Sequence, residues 1–165
     1  MCKMANLTDE EIIRDAVNLV DEGLAVTLPV KGRSMLPFIL GGRDSVVLTR
    51  PVDIREGDVV LARIDGRRFV LHRVIEIAGN PDAGAGDADR CVVLMGDGNL
   101  RGRERCPLHE VLARADEVVG ADGVHRRLDS PRQRRLARLW RRLLPVRRWL
   151  LAIYKRTVIR NIDIQ

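Results

Sequence analysis

Apolar residues Ile12, Ile13, Ala16, Val17 and Val20 recur at helical spacing behind Thr8-Asp9-Glu10-Glu11, and Gly23 stands where the run ends. A hydroxyl ahead of an acidic first turn, with glutamate three residues on, is a capping box, and glycine just past such a run stops a helix. The pattern therefore predicts one amphipathic helix over 9–22. From Leu24 the period shortens to that of strands: β-rich runs cover 24–31, 44–49, 58–64, 68–77, 91–95 and 111–119, parted by Gly41-Gly42, Glu56-Gly57-Asp58 and Asp65-Gly66. Short runs at this spacing predict a compact, mainly β, mostly antiparallel domain, with a loop over 78–89. Helical spacing returns near the C-terminus, where Leu136, Leu139, Trp140, Leu143 and Leu144 form a stripe backed by Arg134, Arg135, Arg138, Arg141 and Arg142. Pro145 then kinks or restarts the helix ahead of Trp149, Leu150, Ile153 and Tyr154. The expected organisation is an N-terminal amphipathic helix over 1–23, a β-domain over 24–129 and a basic amphipathic helical tail over 130–165.

A chain of 165 residues buries one good core and hardly two, so any chemistry must share a single small domain. Aromatic residues make up only 3%, which leaves little for a base-stacking platform, and nucleic acid is an unlikely partner. The net charge of +6 conceals a division. Residues 1–129 carry 18 basic against 22 acidic side chains, whereas 130–165 carry 11 against one. Only the tail is therefore a basic surface of the kind that seeks phosphate or anionic lipid, and with its tryptophans it has the pattern of an interfacial anchor. Packing of the same apolar stripe on the β-domain is the competing expectation. Cys2, Cys91 and Cys106 are odd in number and widely spaced, which fits a reducing compartment, and no run reaches the roughly 18–20 apolar residues of a spanning helix. The start of the chain lacks the apolar core of a signal peptide. A cytoplasmic protein, peripheral at the inner membrane face if the tail is an anchor, is expected.

Candidate chemistry lies in three places. In Val30-Lys31-Gly32-Arg33-Ser34-Met35-Leu36-Pro37 a strand ends in a turn, Gly32 allows conformations that other residues resist and Pro37 stiffens the exit, so Ser34 is presented with its N–H free. Taken alone, a serine between glycine and proline is a turn residue. In Phe69-Val70-Leu71-His72-Arg73-Val74-Ile75 strand alternation puts His72 in an apolar row with Val70 and Val74, where a lone histidine is more often core than catalyst. The third place is Leu94-Met95-Gly96-Asp97-Gly98-Asn99, otherwise read as an Asp-Gly turn.

Together, Val-x-Gly-x-Ser-Met-x-Pro, then Gly57-Asp58-Val59-Val60 and a later strand, resemble the S24/S26 serine-peptidase superfamily of signal peptidases and self-cleaving SOS-type repressors, over roughly residues 26–119. In repressors and bacterial signal peptidases the base on that later strand is a lysine. Here His72 stands at the place, as in the signal peptidases of the endoplasmic reticulum and archaea, and both His72-Arg73-Val74 and the Gly-Asp-x-Asn of 96–99 are similar to theirs. The resemblance implies Ser34 as nucleophile, His72 as general base and then acid, Asp97 as the partner orienting the imidazole, and a peptide or protein substrate with no cofactor or metal. Three departures stand out. Gly32 occupies the position where many signal peptidases carry a hydroxyl donor to the oxyanion, which is worth about 2.7–4 kcal/mol of transition-state stabilisation. The acid those enzymes carry after Gly-Asp-x-Asn is represented only by Glu104. No membrane span precedes Ser34. A catalytically silent, membrane-peripheral peptide-binding module is therefore the alternative, and a repressor-like protein that cuts only itself a third. His109 and His125 lack metal-ligand spacing, and Cys106 has no base to pair with.

Overall fold

The computed structural model describes residues 8–79, 90–154 and 156; most of the loop expected over 78–89 lies outside the described residues. Helix α1, Asp9–Asp21, opens with the expected capping box, Thr8 accepting from the Glu11 N–H and the Glu11 carboxylate from the Thr8 N–H. It ends at Gly23, whose φ is +93°. The helix buries Ala16 and Val20 and leans Ile13 and Val17 on the sheet.

Eight strands follow: β1 Val26–Pro29, β2 Ser45–Thr49, β3 Val59–Ile64, β4 Arg68–Ala78, β5 Cys91–Met95, β6 Glu104–Pro107, β7 Val111–Val119 and β8 His125–Arg127. All pairings are antiparallel, in the order β1-β2-β7-β3-β4-β5-β6, with β8 added to β7. The protein is thus mainly β with helices at both ends, as the alternating runs predict. The sheet is curled, and β6 comes back to touch β3. Both faces of β3 are consequently buried: Val59 and Leu61 join α1, β2 and β7 in one apolar cluster, and Val60, Ala62 and Ile64 join β4, β5 and β6 in another. Strands β6 and β8 have no counterpart among the sequence runs.

The basic tail forms two helices, α2 Pro131–Arg142 and α3 Leu144–Tyr154. Ser130 caps the first and Pro131 begins it, the position at which proline loses no hydrogen bond. The pair packs on the β-domain: Ala137 and Leu151 are buried, and Leu151 and Trp140 close over Leu36 and Leu40. Leu136, Leu139, Val146, Trp149 and Ile153 stay exposed. No helix among the described residues is long and apolar enough to cross a membrane.

Candidate active site

Ser34 sits in the loop between β1 and β2, and its neighbours hold it from both sides. Met35 is buried in the main cluster while Leu36 is buried against Leu40 and Leu151. The loop is closed at its base by a hydrogen bond from the Val30 N–H to the Asp44 carbonyl, and by the buried Asp44 carboxylate accepting the Leu40 N–H at 2.9 Å. Gly32 has a φ of +82°, the left-handed region its position in the turn was expected to require. Held by these anchors, Ser34 lines a cleft of about 350 Å³ together with Gly32, His72, Asn99 and Glu104.

His72 comes from β4, directly opposite Val60 on β3, and shares the apolar face of Val70 and Val74 as alternation predicts. Its Nδ1 lies 2.7 Å from Glu104 Oε2. An ionised carboxylate can only accept, so Nδ1 carries the proton and Nε2 keeps its lone pair. Burial pushes the imidazole below its ordinary range, against the opposing pull of Glu104. Burial works against the Glu104 carboxylate too, but the hydrogen bond from Arg68 and the proximity of His72 outweigh it and hold that group below the usual carboxylate range. Arg68 takes the second oxygen, so the order is Arg68, Glu104, His72.

The turn Gly96–Asn99 lies on the other side of the ring. Gly98 donates its N–H to the Ser34 carbonyl at 2.7 Å. A Cβ on Gly96 would stand 2.4 Å from that carbonyl oxygen and 3.1 Å from His72 Nε2, and one on Gly98 would stand 2.6 Å from the Arg33 carbonyl oxygen. The two glycines of the Gly-Asp-x-Asn segment are thus required by close approach: they let the Ser34 loop seat itself beside the imidazole. Among the described residues no hydrogen bond joins Ser34 Oγ to His72, and catalytic contacts of this kind are often loose without substrate.

Asp97 is placed differently from its expected role. It does not reach His72, because Arg73 Nε and Nη2 hold its oxygens at 2.7–3.1 Å in a pair that is 3% exposed on each side. The register gives the reason. Arg73 pairs with Met95, so Asp97, two residues further on, stays on Arg73's face, whereas Val74 pairs with Leu94 and Leu94 with Glu104, which delivers Glu104 to the face of His72. Arg73 also donates to the Gly57 carbonyl at 2.6 Å and lies 5.4 Å from the Phe38 ring centroid. Asp97 therefore anchors the turn, and Glu104 orients the histidine. Glu104 was visible in the sequence as the only acid in residues 100–104, just after Gly-Asp-x-Asn, but nothing in its polar surroundings marked a strand.

The remaining candidates fall away from the cleft. Burial pushes the Cys106 thiol up to about 11, which leaves it unreactive. His125 pairs with Glu117 on the surface, and His109 lies exposed in a short 3-10 turn over Leu108–Glu110. Lys31 lines the cleft, but its ammonium is turned to Asp9 of α1.

A curled antiparallel β-domain that gathers a serine, a carboxylate-backed imidazole and a glycine turn in one cleft belongs to the class of serine-peptidase folds. The Peptidase S24-like family model matches residues 3–82, a stretch that includes Ser34 and His72. This match supports membership of the S24/S26 peptidase superfamily. No curated protein matches it.

Proposed function

We propose that this protein is a serine endopeptidase that cuts a peptide or protein substrate through an acyl-enzyme on Ser34. The observation that carries this reading is the 2.7 Å contact of His72 Nδ1 with Glu104, which leaves Nε2 unprotonated on the side where Gly96 and the Ser34 segment meet. In the first step Ser34 Oγ attacks the scissile carbonyl carbon while its proton passes to Nε2, and Glu104 stabilises the imidazolium. The same proton then goes to the leaving amine. Water repeats the sequence to free the carboxylate product and regenerate the hydroxyl. The Ser34 N–H is one oxyanion donor, and we assign the second, which Gly32 lacks, to the Asn99 amide lining the cleft.

A peptide suits the cleft because both of its walls offer backbone edges. β1 pairs only with β2, and residues 68–72 of β4 precede the first pairing with β5 at Arg73. An extended segment added between such edges gains main-chain hydrogen bonds and keeps its scissile carbonyl at a fixed height.

The test is labelling by a fluorophosphonate probe of wild type, Ser34→Ala, His72→Ala and Asn99→Ala. Wild type should label, Ser34→Ala and His72→Ala should not, and Asn99→Ala should label on the order of 10²- to 10³-fold more slowly, the usual effect of removing one oxyanion donor. A folded wild type that binds extended peptides but never labels would instead establish the catalytically silent module.

A further inference from the structure

A cavity larger than the cleft of Ser34 lies between the sheet and the helical tail, has a volume of about 450 Å³, and is lined by Arg103, Arg138, Arg141, Arg142 and Arg147 with Glu56. Asp97 also reaches its wall, but its oxygens are already held by Arg73. Among the described residues no carboxylate forms an ion pair with any of these five arginines.

Arg147 is the most telling of the five. It is only 2% exposed, yet its hydrogen bonds go to neutral carbonyls, Asn99 at 3.0 Å and Trp140 at 2.9 Å, and its Nε is buried without a partner. Burial pushes this guanidinium below the ordinary arginine range; Asp97 opposes the shift and Arg141 adds to it. Arg141 donates to the Ile75 carbonyl at 3.3 Å and so finds a neutral partner too. A buried cation is normally paired because desolvation without a counter-charge is costly. Five arginines lining one half-open cavity against a single free carboxylate leave several positive charges uncompensated, and Arg147 among them is buried.

We infer that this cavity is a binding site for a phosphate-bearing anion, seated between the tail helices and the Gly96–Asn99 turn. Several charges on a compact group with oxygens in all directions match convergent guanidinium forks. Inorganic phosphate, pyrophosphate and a phosphomonoester lipid headgroup share that chemistry. The site does not depend on Ser34 being reactive.

Calorimetric titration of the full chain with pyrophosphate at fixed ionic strength, alongside sedimentation with phosphatidylcholine vesicles with and without phosphatidic acid, tests the inference. Two double variants accompany wild type: Arg138→Gln with Arg142→Gln, which line the cavity, and Arg132→Gln with Arg135→Gln, which lie on the same helix, remove the same charge and do not line it. All four side chains are on exposed positions, so both variants should fold. Saturable binding by wild type is expected, weakened at least about tenfold in the first variant, the usual scale for a lost charge-assisted hydrogen bond, and kept in the second. Binding of free pyrophosphate identifies a soluble ligand, and binding only of vesicles with phosphatidic acid identifies the headgroup. Absence of saturable binding in both arms, or equal effects of the two double variants, would overturn the site.

Discussion

His72 and Arg73 are consecutive, and because β4 sends them to opposite faces they select different acids from one short stretch of chain: Glu104 for the imidazole, Asp97 for the guanidinium. The two acids should therefore fail in different ways. Glu104→Gln removes the negative charge that stabilises the imidazolium, so turnover should fall by roughly 10²- to 10⁴-fold, with a smaller loss of stability than Asp97→Asn. Its pH profile should move as well. Wild-type activity should rise with pH through a value below that of an ordinary histidine, because burial disfavours the charged ring. Glu104 pulls that value upward, so its replacement by glutamine shifts the acid limb further down. Asp97→Asn should instead cost about 3–5 kcal/mol in urea denaturation, since it strands a buried Arg73. Equal stability of Asp97→Asn and wild type would return Asp97 to the candidates for the histidine's partner. Both His72 and Glu104 have folded values below their unfolded ones, so the unfolded chain binds more protons as pH falls. Stability should accordingly decline below the ordinary histidine value, and again as Glu104 protonates.

Among the elements, those with a strong period were legible in the sequence: α1, the six apolar strands and the basic tail all follow from spacing, whereas Ser34 and His72, which local pattern reads as a turn residue and a core histidine, were picked out by the resemblance of the motifs in their order. β6 and β8 were not legible, for a physical reason. Glu-Arg-Cys-Pro and His-Arg-Arg carry almost no apolar alternation, and they become strands only because β5 and β7 offer them free edges. The true partner of His72 was hidden with β6, because its place depends on a two-step register through Leu94 that no local pattern displays. The Gly96–Asn99 turn shows the opposite case, a motif whose glycines read as a common turn until the seryl carbonyl is found pressed against them. Gly96→Ala and Gly98→Ala should each abolish or severely slow probe labelling, since either new methyl overlaps the backbone of residues 33–34. Gly123→Ala on the β7–β8 hairpin, where nothing lies within 4 Å but φ is +73°, should cost stability and leave the labelling rate of the folded protein unchanged. Equal labelling rates across all three variants would show that the close approach of loop and turn is dispensable.

For the molecule as a whole, the tail is part of the fold. Trp140 donates Nε1–H to the Asp97 carbonyl at 2.7 Å, Arg147 holds the Asn99 carbonyl, and Arg134 reaches buried Asp58 at 2.9 Å, so the helices brace the turn beside His72. Removal of everything after Asp129 should therefore give an insoluble or non-labelling protein, assayed by solubility and probe. A soluble truncated chain that labels at the wild-type rate would show that the brace is unnecessary. Packing uses only one face of the helices, and Val146 and Trp149 on α3 stay exposed. We propose that this stripe rests in the interface of an anionic membrane, where each basic residue near the surface adds on the order of 1 kcal/mol. Replacing Val146 and Trp149 by serine should weaken sedimentation with anionic vesicles without changing thermal stability. Unaltered sedimentation would count against this mode of attachment.

Leu36, two residues past Ser34, is sealed by Leu151, which follows it by more than a hundred residues. A ribosome making this chain emits Ser34 and His72 long before α3 exists. The nascent β-domain thus emerges with its apolar seat for the tail uncovered and its Gly96–Asn99 turn unbraced, and it gains both only when the last helix folds back. On the proposed peptidase reading, synthesis itself then delays the appearance of a competent site and keeps an unfinished chain from cutting itself or its neighbours. Arrested chains carrying residues 1–129 or 1–165 ahead of a linker long enough to clear the ribosomal exit tunnel should differ in probe labelling for that reason.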